Sequence, residues 1–188
     1  MFKKLFVMAT IITLLAGIQA GGANADLITN GAFQSGDFTP GWILTGDTSF
    51  TFVASDSGAR TSGESYAVLG SPAAISQTIA TTAGRSYTVS FWLANDMPGT
   101  NGFTALWNGI SEKLKLVDAP AFDWTQYQYT ATALETWTPI TFSFQNDSSV
   151  FKLTGVSAAP VPIPGALLLL GPGLACLLAI RKRLSPSV

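Results

Sequence analysis

The chain has 188 residues and a mass of 19.7 kDa, room for one ordinary domain with short terminal segments. It is 47% hydrophobic and only 11% charged, and its lack of histidine excludes Ser-His-Asp and Cys-His triads and His-ligated zinc or iron. The single cysteine, Cys176, excludes an internal disulfide and a Cys-rich metal site.

Residues 1–25 read as a secretory signal. Lys3 and Lys4 open it, an apolar run from Leu5 to Ile18 follows, and Ala23 and Ala25 supply the small-x-small pattern that signal peptidase cuts.

Residues 26–158 form the candidate domain. Tyr87, Val89, Phe91 and Leu93 alternate with Ser86, Thr88, Ser90 and Trp92. Ile140, Phe142 and Phe144 alternate with Thr141, Ser143 and Gln145, and Tyr127 and Tyr129 with Gln126 and Gln128. A period of two marks strands with one buried face. Turn signals such as Asn30-Gly31, Ser57-Gly58, Pro98-Gly99 and Asn108-Gly109 recur between the runs. About nine or ten short strands are expected, in an all-β, two-sheet antiparallel sandwich. This segment holds eleven acidic and five basic residues, a net charge of −6 that the chain's total of −1 conceals. So acidic a domain argues against nucleic acid, and against adhesion to anionic lipid.

The C-terminal segment, residues 159–188, has three parts. Prolines 160, 162 and 164 fall in a Pro-rich motif over 160–165. Residues 165–180 are apolar and uncharged, and residues 181–188 form a tail headed by Arg181, Lys182 and Arg183. The 20 uncharged residues from Val161 to Ile180 suffice to cross ~30 Å of hydrocarbon. The basic cluster is expected to stay cytoplasmic, which places the acidic domain outside. Cys176 reads as a small apolar helix residue, with lipidation as the alternative.

Val161-Pro162-Ile163-Pro164-Gly165, followed by the apolar run and Arg181-Lys182-Arg183, resembles the PEP-CTERM sorting signal in its Val-Pro-Leu-Pro-Ala variant. Ile163 stands where the founding motif has glutamate, and Gly165 where the variant has alanine. The resemblance implies an exosortase-like membrane protease as partner. It also implies an inner-membrane precursor and delivery to the cell surface or extracellular matrix of a Gram-negative bacterium.

The domain in turn resembles galactose-binding-like jelly rolls and carbohydrate-binding modules. The likeness is carried by Leu27-Ile28-Thr29-Asn30-Gly31-Ala32-Phe33, Gly41-Trp42, Ile75-Ser76-Gln77-Thr78-Ile79, the run Tyr87 to Asn95, Phe144-Gln145-Asn146-Asp147 and the run Phe151 to Ser157. It implies a jelly-roll sandwich that binds glycan without catalysis. Such folds often hold a structural calcium. Here Gln34 and Thr154-Gly155 replace the usual carboxylates, so no tight calcium site and no cofactor are expected; Asp26 and Asp147 are the carboxylates that could stand in.

Sugar rings stack on tryptophan, and most of the five tryptophans are expected in the core. Trp92 and Trp124 are the candidate ligand platforms; Trp92 has the parity of Thr88 and Ser90, opposite the apolar face. No catalytic residue is assigned. Asp118 and Asp123 could form a carboxylate pair, but any acidic β domain offers one. The leading expectation is therefore an exported, non-catalytic envelope or matrix protein that binds exopolysaccharide. The alternatives are a structural matrix or adhesion protein without a specific ligand and a glycoside-active enzyme.

Overall fold

The computed structural model describes residues 25–70, 72–147 and 149–162. The signal sequence through Ala23, the motif residues Ile163, Pro164 and Gly165, Cys176 and the Arg181-Lys182-Arg183 cluster lie outside the described residues.

Ten antiparallel strands form the described domain: β1 (Ile43–Gly46), β2 (Thr51–Ala54), β3 (Tyr66–Leu69), β4 (Ala73–Ala80), β5 (Ser86–Asn95), β6 (Asn101–Trp107), β7 (Ser111–Val117), β8 (Phe122–Thr132), β9 (Trp137–Asn146) and β10 (Phe151–Pro160). They build two five-stranded sheets, ordered β1-β4-β9-β6-β7 and β2-β3-β10-β5-β8. The all-β, two-sheet antiparallel sandwich expected from the alternation is the architecture found. Among the described residues, no helix is long and apolar enough to cross a membrane.

The period of two sets what each face carries. Tyr87, Val89, Phe91 and Leu93 point inward from β5, and Ile140, Phe142 and Phe144 meet them from β9. Phe91 and Phe142 pack edge to face at 5.0 Å, and Phe103 joins both rings and Phe151. Fully burying one such ring contributes about 1.5–3 kcal/mol, and the edge-to-face geometry adds to it. Trp42 and Trp107 belong to this core, and their indole N–H groups donate to the carbonyls of Asn30 and Thr132.

One buried polar knot ties the sheets together at a single end. The Asn95 amide donates to the carbonyls of Ala119 and Pro120. Asn101 donates to Ala119 O and accepts from Ala119 N, and Asn146 donates to Asn95 Oδ1. Polar backbone groups of the β7–β8 connection are thereby satisfied away from water, which fixes where β8 begins.

The connections after β1, β3, β5, β7 and β9 all fall at that end. The domain's first residues and the end of β10 fall at the other: Leu27 N donates to Ala158 O, and Val161 N to Ser86 O.

Candidate functional site

The outer face of the β2-β3-β10-β5-β8 sheet carries Trp92 and Trp124 together. Trp92 is there by simple alternation on β5. Trp124 is there by the same alternation, sharing the parity of Gln126 opposite inward Tyr127; a β8 bulge then leaves Asp123 and Trp124 both opposite Ala94 and lets Phe122 pair with Asn95. Phe122 and Tyr127 thus stay packed on the core while Trp124 turns outward.

Neither indole is an open platform. Trp92 is half-buried, and the Arg60 guanidinium sits 4.7 Å above its ring while pairing with Glu64 at 2.6 Å. Beneath it, β10 bulges between Thr154 and Ser157, with Gly155 in the left-handed region at φ +59. A Cβ on Gly155 would stand 3.1 Å from Trp92 Cδ1, so the glycine serves both the turn and the indole's close approach. Trp124 is half-buried too; its N–H donates to Gly58 O at 3.3 Å, and its ring meets Tyr66 edge to face at 6.0 Å.

What covers both indoles is the β2–β3 connection, residues 55–65, which folds back over the sheet. Asp56 anchors it: Oδ1 accepts from Tyr66 OH at 2.6 Å and from Gly58 N at 2.8 Å. Those hydrogen bonds, the tyrosine's first, hold the Asp56 carboxyl below the ordinary aspartate range. Burial, then the Asp56 acceptor, pushes the Tyr66 phenol well above its ordinary value. Gly58 is packed so closely that a Cβ would lie 2.5 Å from Tyr66 Oη and 3.1 Å from Lys152 Nζ. Lys152 in turn pairs with Asp96 at 2.7 Å and lies over the Tyr66 ring at 5.7 Å.

The folded-back connection leaves a recess on each side. One, of about 410 Å³, is lined by Ser57, Gly58, Ala94, Asp96, Asp123 and Trp124. The other, of about 460 Å³, is lined by Phe52, Asp56, Tyr66, Val68 and Val150. Ser57, Gly58, Asp96 and Lys152 stand on the divide and line both. A further recess of about 490 Å³ lies among the connections at the sandwich end, between Asp47, Phe50, Pro72 and Asp147.

These features suit an amphipathic ligand: apolar walls with a few fixed acceptors and donors. They do not resemble an acid–base pair. Asp118, at φ +48, sits in the β7–β8 connection with its N–H on Asn101 O, and it does not line the Asp123 recess. Asp56 is perturbed downward, the wrong direction for a general acid at neutral pH.

Among the described residues, no group of three or more acidic residues or cysteines is placed to hold a metal. Gln34 is exposed and the Thr154 hydroxyl is committed to Ser65 O at 2.8 Å. Of the two stand-in carboxylates, Asp26 accepts from the N–H groups of Ile28 and Ala158, and Asp147 from the Gln145 amide.

Of the sorting-motif residues, Val161 continues the β10 pairing and Pro162 is the last one described; Ala25 is exposed. Sequence reasoning missed Tyr66, Asp56, Asp96 and Lys152, which meet only through the tertiary fold. It also missed Trp137, 62% exposed on the outer face of the other sheet. That one was within reach: the inward parity of Ile140, Phe142 and Phe144 extends back to put residue 137 outside.

The fold is shared with solved carbohydrate-binding modules. TmCBM61 in complex with β-1,4-galactotriose matches with a TM-score of 0.57 at 19% identity, over 73% of this chain and 99% of that one. A family 16 carbohydrate-binding module matches at 0.51 and 17%, over 71% and 99%. The Clostridium thermocellum xylanase 10B CBM22-1–GH10 modules complexed with xylohexaose match at 0.52 and 15%, over 74% of this chain and 29% of that one. No curated protein matches the chain by sequence. A family model described as a protein of unknown function matches residues 26–159.

Proposed function

We propose that this chain, which belongs to the DUF642 family, is an exported, non-catalytic glycan-binding protein of the cell envelope or extracellular matrix. The observation that carries the reading is the two-recess face. Trp124 and the exposed Phe52 supply apolar ring surface, and Ser57, Asp96 and Asp123 supply polar groups within the same short span. Sugars need that combination, because their C–H faces stack on aromatic rings while their hydroxyls seek fixed hydrogen-bond partners. The likeness of the sandwich to modules solved with bound oligosaccharides supports the same reading.

Export rests on the sequence at both ends: signal peptidase acting after Ala25, then an apolar segment and the Arg181-Lys182-Arg183 stop. In this reading an exosortase-like protease processes the Val161–Gly165 motif, and the jelly-roll domain is left in the polysaccharide it binds.

Affinity electrophoresis of the protein in gels containing extracellular polysaccharide tests the binding. Retardation is expected, and Trp124→Ala is expected to abolish most of it while the sandwich stays folded. Equal mobility with every polysaccharide tried would leave the domain without a ligand and favour a purely structural matrix role. Turnover of the polysaccharide would instead make it an enzyme.

A further inference from the structure

The two-recess face carries two cations, and both are already neutralised within the protein. Arg60 pairs with Glu64 while lying on Trp92, and Lys152, 16% exposed, pairs with Asp96 while lying on Tyr66. Neither guanidinium nor ammonium is free to receive an anion. Two carboxylates remain. Asp56 accepts hydrogen bonds from neutral donors, the Tyr66 hydroxyl and the Gly58 amide, and stays ionised, its charge only partly offset by Lys152, whose ion pair is with Asp96. Asp123 is exposed on the wall of the Trp124 recess, and its carboxylate has no hydrogen-bond or ion-pair partner among the described residues. Asp47, Asp118 and Asp147, on neighbouring connections at the same end, add to the field.

Resting on the glycan-binding reading, we infer that this face selects polysaccharides bearing free amino groups, cationic amino-sugar polymers, over neutral ones and rejects uronate or sulfate polymers. A sugar stacked beside Trp124 places its ring substituents near Asp123. A protonated amine there gains a charge-assisted hydrogen bond that an acetamide cannot match. A carboxylate or sulfate there meets like charge with no cation to offset it. Because Asp123 is exposed, the preference is modest per sugar, accumulates along a polymer and is screened by salt.

The test uses the full chain in non-ionic detergent, with partly deacetylated chitin, fully acetylated chitin oligomers and alginate as probes. The deacetylated polymer is expected to bind tightest and alginate weakest. The deacetylated preference should shrink severalfold as ionic strength rises from about 0.01 to about 0.15 M, where the screening length falls from about 30 to about 8 Å. Asp123→Asn, an exposed and nearly isosteric change that keeps a hydrogen-bonding group, is expected to lower affinity for the deacetylated polymer about two- to fivefold and for the acetylated oligomers by clearly less. Alginate binding as well as the deacetylated polymer would overturn the inference while leaving glycan binding intact. So would a preference insensitive to both salt and Asp123→Asn. Retention of none of the three probes, nor of any other polysaccharide, would overturn glycan binding itself and the inference with it.

Discussion

Trp92 illustrates how a residue can have the right parity and still be spoken for. Its ring lies outside the core, yet Arg60 covers one side and Gly155 approaches from β10. Trp92→Ala removes a half-buried ring and a cation–π contact, so a loss of about 2 kcal/mol is expected, less than the ~3–5 for a core aromatic. Denaturant unfolding gives that value directly, and a loss as large as that of Phe142→Ala would make Trp92 a core residue in all but position. Gly155→Ala is expected to cost about 1–3 kcal/mol, from left-handed strain and the 3.1 Å approach together. The Asp56–Tyr66 pair makes a pH prediction of definite sign. Asp56 titrates low in the folded state, so its stabilisation is present above the unfolded value of ~3.9 and is lost as pH falls through the folded one. Tyr66 and Tyr129 titrate high, so theirs is full below ~10 and is lost as pH rises beyond it. Melting curves across pH should therefore fall off at both extremes. Asp56→Asn should flatten the acid limb, and ultraviolet titration should find those phenols resisting ionisation.

At the level of elements, the knot of Asn95, Asn101 and Asn146 is what holds the start of β8, and with it Asp123 and Trp124, against β5. Asn101→Ala leaves the Ala119 N–H and one carbonyl hydrogen bond unmet in a buried setting. A loss of about 2–3 kcal/mol is expected, with amide hydrogen exchange rising first across residues 118–124. The strands themselves were readable in advance, since burying one face forces a period of two and Phe91, Phe142 and their neighbours obey it. Even Trp137 on its exposed face follows from that rule. The recesses were not readable. They depend on an extra residue in β8 and on eleven loop residues folding back over a sheet, and neither leaves a periodic trace. Gly58 was visible only as a turn signal. Its actual role is to leave room for Tyr66 and Lys152, side chains that are distant in sequence or belong to another strand.

For the whole molecule, export and sorting make the boldest prediction, because it concerns segments outside the described residues. Replacing Arg181, Lys182 and Arg183 with neutral residues removes the proposed cytoplasmic stop, and unprocessed protein is expected in the periplasm or medium. Unchanged fractionation would refute the proposed topology. The sandwich should also be indifferent to calcium: with Thr154 hydrogen-bonded to Ser65 and Gly155 closed against Trp92, chelator should move the melting temperature little. A melting temperature that climbs with calcium concentration would reveal a site built from other oxygens.

The place of β10 gives the fold a mechanical character. This last strand is not at an edge: β3 holds one side and β5 the other. Its final residues lie at the end where the chain leaves toward the tail, and the two recesses lie toward the opposite end. If the proposed glycan binding holds and the chain is still attached beyond Pro160, tension between a polymer at the recesses and that attachment runs along the strand axis. It loads the flanking hydrogen bonds in parallel, as shear, so many must yield together. Pulled from an edge strand across the sheet, the same bonds would break in succession, each carrying the whole load in turn. Loaded this way, the domain's lifetime under force is set by its rate of forced unfolding.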